Sequence, residues 1–292
     1  MQQEEYITKY KMKEYGDKKI TYETDLFECD QINNFTNLIK TANTKNIKSE
    51  HITNLKGWDV IKLDTLKNLN INENIKVNIH FEMLHYGKGD NTRPIFILPG
   101  FSVRSLTMII GRIHLHKDKI LEKFSDIYIF NNTSIGKLPN LLSDKHNIPF
   151  PTTYQKISNG MKIFFDNYNN ISLLGRFAGG GISMFLTFKY LESNKIIGLN
   201  LACSGYDITS MKTIIPNFNN KKLLIRLCWA KQDQKILIDS DSGGTHLNQM
   251  FQNSGYTNFK YYVIENVPSN IEGKDKYIHT HQIQKKLIYK LV

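Results

Sequence analysis

The 292-residue sequence has little cysteine, little arginine and no long apolar stretch. Its three cysteines, Cys29, Cys203 and Cys228, are widely spaced and form no C-x-x-C pair. That set excludes a disulfide framework or a cysteine-rich zinc site. It predicts an intracellular, reducing setting: cytoplasmic, or host cytoplasm or virion if the source is viral. No apolar run approaches the roughly 18 residues of a transmembrane helix, so no membrane span is expected. The charged opening MQQEEYITKYKMKEY predicts no secretory signal. Arginine matters because the net charge of +11 at first suggests nucleic acid. Yet the 38 basic residues comprise 33 Lys and 5 Arg, beside 30 Asn and 37 Ile. Lys, Asn and Ile share A/T-rich codons, so an A/T-rich genome, such as that of a large DNA virus or a protist, accounts for them. Arginine, the bidentate reader of bases and phosphates, is the residue a nucleic-acid surface would need. Nucleic acid is therefore not the expected partner of this basic protein.

What is present suffices for a core: 40% of residues are apolar and 22% charged. We read residues 1–54 as an N-terminal extension, with one helix over 31–42, and residues 55–292 as one domain. In that domain 60–66 and 75–84 alternate apolar and polar residues, as half-buried antiparallel strands do. Short apolar strands then alternate with helices. Strands are expected at 95–99, 127–130, 171–175, 196–202, 223–230 and 259–265. Helices are expected at 104–123, 153–168, 179–193, 245–253 and from 281. This is an α/β pattern: a mostly parallel sheet with helices on both faces, whose reactive loops lie at the strand carboxyl ends.

The most informative segment is ISLLGRFAGGGISMFLTFKY, residues 171–190. An apolar strand runs into Gly175, and Gly179, Gly180 and Gly181 open a helix. Small residues flanking a tight strand-to-helix turn suit a nucleophile elbow, G-x-S-x-G. Here the five residues are Gly175, Arg176, Phe177, Ala178 and Gly179. The glycines also fit the G-x-x-x-G-x-G of short-chain dehydrogenases, and Tyr256 and Lys260 supply a Y-x-x-x-K. At least four strands precede the turn, however, whereas that motif follows the first strand. A P-loop lacks its Lys-Ser/Thr pair, and G-x-G-x-x-G would need glycine at 177. Two H-x-H pairs, His114/His116 and His279/His281, have no accompanying carboxylate or cysteine pattern and are read as solvent-facing. Trp58 and Trp229 are expected in the core or at a strand end. No cofactor or metal is expected.

In the order of its motifs the chain resembles the α/β-hydrolase superfamily, its esterases and lipases, over roughly residues 58–292. LPGFS (98–102) resembles the turn after strand three, and GRFAGGGISM the elbow with its helix. WAKQDQ (229–234) resembles the acid turn after strand seven, and KDKYIHTHQ (274–282) the histidine loop. The resemblance implies Asp233 as the triad carboxylate, His279 as the histidine, and the backbone amides of Phe101 and Ala178 as oxyanion donors. Which of His279, His281 or Lys276 fills the histidine position stays open. It also implies a minimal cap, since about 15 residues, Tyr206 to Asn220, link strands six and seven.

The departure is at the nucleophile. Phe177 has no nucleophilic atom and no transferable proton, and sliding the register by one brings Ala178 there. Ser102 and Cys203, near the same sheet edge, are alternative nucleophiles. Ser172, Ser183 and Ser204 are read as structural. The expected function is thus that of a pseudoenzyme, hydrolase-like in fold, binding an unidentified small ligand or protein partner. An active esterase with a displaced nucleophile is the second reading. A basic scaffold for nucleic acid or an acidic partner is the third.

Overall fold

The computed structural model describes residues 12–15, 19–23, 57–63, 69–73, 75–78, 81–100, 103–131, 138–190, 194–206, 208–217, 222–231, 233 and 237–264. In chain order the strands are β1 (Met12–Tyr15), β2 (Lys19–Glu23), β3 (Asp59–Leu63), β4 (Leu69–Asn72), β5 (Ile75–Asn78) and β6 (Phe81–Gly87). They continue with β7 (Ile95–Leu98), β8 (Asp126–Phe130), β9 (Ile171–Arg176), β10 (Ile196–Ala202), β11 (Leu224–Ala230) and β12 (Phe259–Ile264). The helices are α1 (Val103–Leu121), α2 (Leu138–His146), α3 (Phe150–Phe165), α4 (Ala178–Lys189), α5 (Ile208–Ile214) and α6 (Gly244–Asn253).

Eight strands form the main sheet in the order β12-β11-β10-β9-β7-β8-β6-β3. The strands from β7 to β12 run parallel, whereas β6 lies antiparallel to both β8 and β3. Counted from β3, the spatial order is 1-2-4-3-5-6-7-8. Every residue of β7, β8 and β9 is buried, so both faces of the sheet are covered. The α4 helix packs on β7, β9 and β10 and against α3, while α1 covers β8 and α6 covers β11. Among the described residues between β10 and β11 stand α5 and one 3-10 turn, Ile215–Asn217. Phe96, at the centre of β7, stacks on Tyr128 at 4.6 Å and meets Phe165 edge-on at 4.7 Å. Trp229 and Trp58 are buried, as expected.

A second sheet, β1-β2-β5-β4, stands apart from the first. It joins β2 to β5 in parallel and packs β4 against α3. Its buried anchors are Ile71 and Ile75. Here the sequence expectation needs correction: 75–84 is not one strand but two, β5 in the small sheet and β6 in the large one. Ile75, Val77, Ile79, Phe81 and Met83 keep a period of two across the break, so the alternation carries no sign of the change of sheet. The expected helices over 31–42 and from 281 lie outside the described residues.

Candidate functional site at the strand carboxyl ends

The end of β9 passes through Phe177 directly into α4. Phe177 has φ 48° and ψ −126°, a backbone region that essentially only glycine enters without strain, at a cost of about 1–3 kcal/mol. Its surroundings hold it there. The Phe177 N–H donates to the Ala202 carbonyl at 3.4 Å, and its carbonyl accepts from Gly180 at 2.8 Å and Gly205 at 2.9 Å. The two elbow glycines serve close approach. A Cβ on Gly179 would lie 2.1 Å from the Leu98 carbonyl oxygen, and one on Gly175 would lie 2.6 Å from the Gly180 Cα. The turn therefore has the geometry of a nucleophile elbow with a phenylalanine at its apex. Ala178 opens α4, so its N–H belongs to the first turn, whose donors have no intrahelical acceptor.

Three further side chains gather beside the apex. Arg176, the last residue of β9, is 4% exposed, and its guanidinium lies over the Phe177 ring at 5.2 Å from the centroid. Burial lowers its pKa to about 10, while the charge of Asp233 acts to raise it. Asp233 is also buried, its backbone N–H donating to the Ala230 carbonyl just after β11. Cys203 follows β10 with a positive φ of 43°, and its thiol donates to the Asp233 carboxylate. Burial pushes that thiol well above its ordinary pKa, and the neighbouring carboxylate pushes it further. A fully buried, protonated thiol is a poor nucleophile.

Of the residues singled out by sequence, the structure thus brings together Phe177, Ala178, Cys203 and Asp233. Phe101, Ser102, Lys276, His279 and His281 lie outside the described residues. Ser183 donates to the Gly179 carbonyl at 2.7 Å, and Ser172 and Ser204 are buried. Tyr256 donates to the Leu223 carbonyl, which precedes β11 at the opposite end of the sheet from the elbow, so the Y-x-x-x-K pair is remote from the glycines. The solvent-facing reading of His114 is corrected. It is half-buried on α1, and its Nδ1 accepts a hydrogen bond from Trp58 Nε1–H at 3.1 Å, because a buried indole N–H requires an acceptor. Sequence reasoning passed over Arg176. The available signal was a charged residue ending an otherwise apolar strand.

Among the described residues no group of three or more His, Cys, Asp or Glu could hold a metal ion, and no helix is long and apolar enough to cross a membrane. No protein-family model matches the sequence, and no curated protein matches it either. Solved structures do match. A thermostable esterase superposes with a TM-score of 0.53 at 12% identity, over 81% of this chain and 63% of its own. A protein described as a predicted CIB-like hydrolase from Thermoplasma acidophilum gives 0.50 at 12%, over 80% and 99%. An uncharacterised protein from Capnocytophaga ochracea gives 0.51 at 7%, over 80% and 63%. The chain has the α/β-hydrolase fold. At these identities the likeness concerns the scaffold, and the chemistry must be argued from the residues. Within the α/β-hydrolase fold the strained turn after β9 and the acidic turn after β11 face the same sheet edge. In this chain they bring a phenylalanine, an arginine and an aspartate together.

Proposed function

We propose that this protein uses the α/β-hydrolase scaffold for binding rather than for serine catalysis, its carboxyl edge receiving a small ligand or a protein partner. Residues 55–292 form that domain, and residues 1–54 are an extension to it. The observation that carries the reading is Phe177 at the apex of an intact elbow. Acyl transfer there needs an atom that attacks a carbonyl and gives up a proton, and a phenyl ring has neither. The ring sits under the Arg176 guanidinium, and the adjacent Cys203 is buried with its thiol held protonated. The short linker between β10 and β11 supports an open edge better suited to a shallow ligand or a protein surface than to a buried lipid tail.

Short-chain nitrophenyl esters test this reading. The purified protein should hydrolyse them no faster than the buffer does. Substantial turnover that disappears in Cys203→Ser or Ser102→Ala would overturn the proposal and establish a displaced nucleophile.

A further inference from the structure

The face of the large sheet turned away from α4 carries a pair of cations that play no part at the elbow. Alternate residues of a strand face opposite ways. A Cβ on Gly175 would meet the Gly180 Cα and the Ser183 Oγ of α4. Gly175 and the residues in register with it, Leu201, Leu227 and Tyr261, therefore face that helix. One residue earlier the row across β9, β10, β11 and β12 is Leu174, Asn200, Arg226 and Lys260, and it projects from the opposite face. We propose that Arg226 and Lys260, side by side on β11 and β12, form a binding site for a single phosphate group, free or carried by a small ester.

The two cations are neighbours without a counter-ion. Adjacent strands lie about 4.8 Å apart, and like charges directly opposite each other are destabilising. Among the described residues no carboxylate forms an ion pair with either one. Arg226 is half-buried and Lys260 exposed, so the arginine is partly desolvated while the lysine keeps the pair open to solvent. Burial lowers the Arg226 pKa and the charge of the exposed Arg93 lowers it further, against a hydrogen bond with Tyr262. What holds the guanidinium is neutral. Its Nη1 donates to Asn200 Oδ1 at 3.2 Å, and the Asn200 amide is fixed in turn by donating to the Leu173 carbonyl at 3.0 Å. Asn200 is 1% exposed, so a buried side chain aims the fork without neutralising it. A guanidinium has five N–H donors, and those that Asn200 and Tyr262 do not take suit phosphate oxygens, which arginine grips two at a time.

Inorganic phosphate titrated into the full chain at constant ionic strength, followed in two-dimensional amide NMR spectra, tests the site. Amides of residues 225–227 and 259–261 should shift, and those of 177–180 at the elbow should not. Arg226→Met should weaken binding roughly tenfold or more. Lys260→Met, which removes an exposed charge, should weaken it about two- to fivefold. Lys260→Glu keeps the test decisive if Arg226→Met fails to fold. It places a carboxylate beside the guanidinium, so it should raise Tm by roughly 1–3 °C in phosphate-free buffer and abolish the phosphate-induced shifts. Phenyl phosphate separates the two sources: tighter binding of the ester identifies a phosphoester ligand, and tighter binding of the inorganic ion identifies free phosphate. No response beyond that to chloride, shifts centred on 177–180, or equal binding by the wild type and Lys260→Glu would overturn the proposal. So would a duplex oligonucleotide that binds more tightly than either small anion and weakens in both variants, since the pair would then belong to a nucleic-acid surface. None of these outcomes depends on ester turnover, so the binding reading of the elbow stands or falls separately.

Discussion

The strain at the elbow apex can be measured by comparing two truncations, Phe177→Ala and Phe177→Gly. Both remove the ring, so the lost contact with Arg176 cancels between them. They differ in the Cβ that alanine keeps in a backbone conformation of φ 48° and ψ −126°. That conformation costs a non-glycine residue about 1–3 kcal/mol. Against it stands the greater freedom of glycine in the unfolded chain, about 0.5–1 kcal/mol. The difference leaves Phe177→Gly more stable than Phe177→Ala by up to about 2.5 kcal/mol. At an ordinary strand or helix position the sign is reversed. Urea unfolding followed by the fluorescence of the buried Trp58 and Trp229 would read the two midpoints, with equal m values as the control. An alanine variant more stable than the glycine variant by about 0.5–1 kcal/mol would refute the strained apex and with it the elbow.

Two other predictions lie elsewhere in the molecule. Asp126, fully buried at the start of β8, accepts hydrogen bonds from the Gly89 N–H at 2.7 Å, the Asn91 N–H at 2.9 Å and His85 Nε2 at 2.8 Å. Burial raises its pKa, but these bonds and one from Ser125 outweigh burial and leave it below the usual 3.8. A depressed carboxylate stabilises the fold above its unfolded pKa, and the contribution is lost as pH falls through the folded value. Asp126→Asn should therefore cost about 2–3 kcal/mol at neutral pH and progressively less below pH 3.8, measured by urea unfolding across pH. A constant difference would refute the linkage. Cys203 and Cys228 are both buried and in no disulfide, so a thiol reagent at neutral pH should leave both unlabelled in the native protein and label both in denaturant. Peptide mapping that found rapid native labelling of Cys203 would contradict its protonated, enclosed state.

Much of this architecture can be read from the sequence because its signals are local. Largely apolar runs such as IFIL, IYIF and ISLLG separated by helical segments give β7, β8, β9 and the helices α1 and α3, with ends within a few residues of those observed. The elements that escaped are those with weak or misleading local patterns. The α2 helix has nine residues, includes Pro139 in its first turn, and repeats its apolar spacing only from Leu138 to Leu142. The β4 strand has four residues, of which only Ile71 is buried, too few to show a period. At the site the glycine spacing reveals the elbow, because close backbone approach requires glycine at fixed offsets. The gathering of Phe177, Cys203 and Asp233 leaves no such trace: they stand far apart in the sequence, and only the parallel register of β9, β10 and β11 brings the strand ends that carry them to one edge.

The apex strain also bears on why such a turn can persist without a nucleophile at its apex. In an acyl-transfer enzyme a strained turn is explained by the exposure it gives the nucleophile. That explanation fails for Phe177, which exposes nothing reactive, yet the conformation remains. Its cause lies in the joint itself. Relaxing φ to a negative value would pull the Phe177 carbonyl away from Gly180 and Gly205 and turn α4 off its contact with the Leu98 carbonyl, where Gly179 leaves no spare room. Each buried hydrogen bond left unmade costs about 1–3 kcal/mol, so two of them equal or exceed the strain. The elbow is thus kept by the packing of α4 against β7 and β10 whatever side chain stands at its apex. A reactive atom at position 177 is a separate requirement that the fold does not impose.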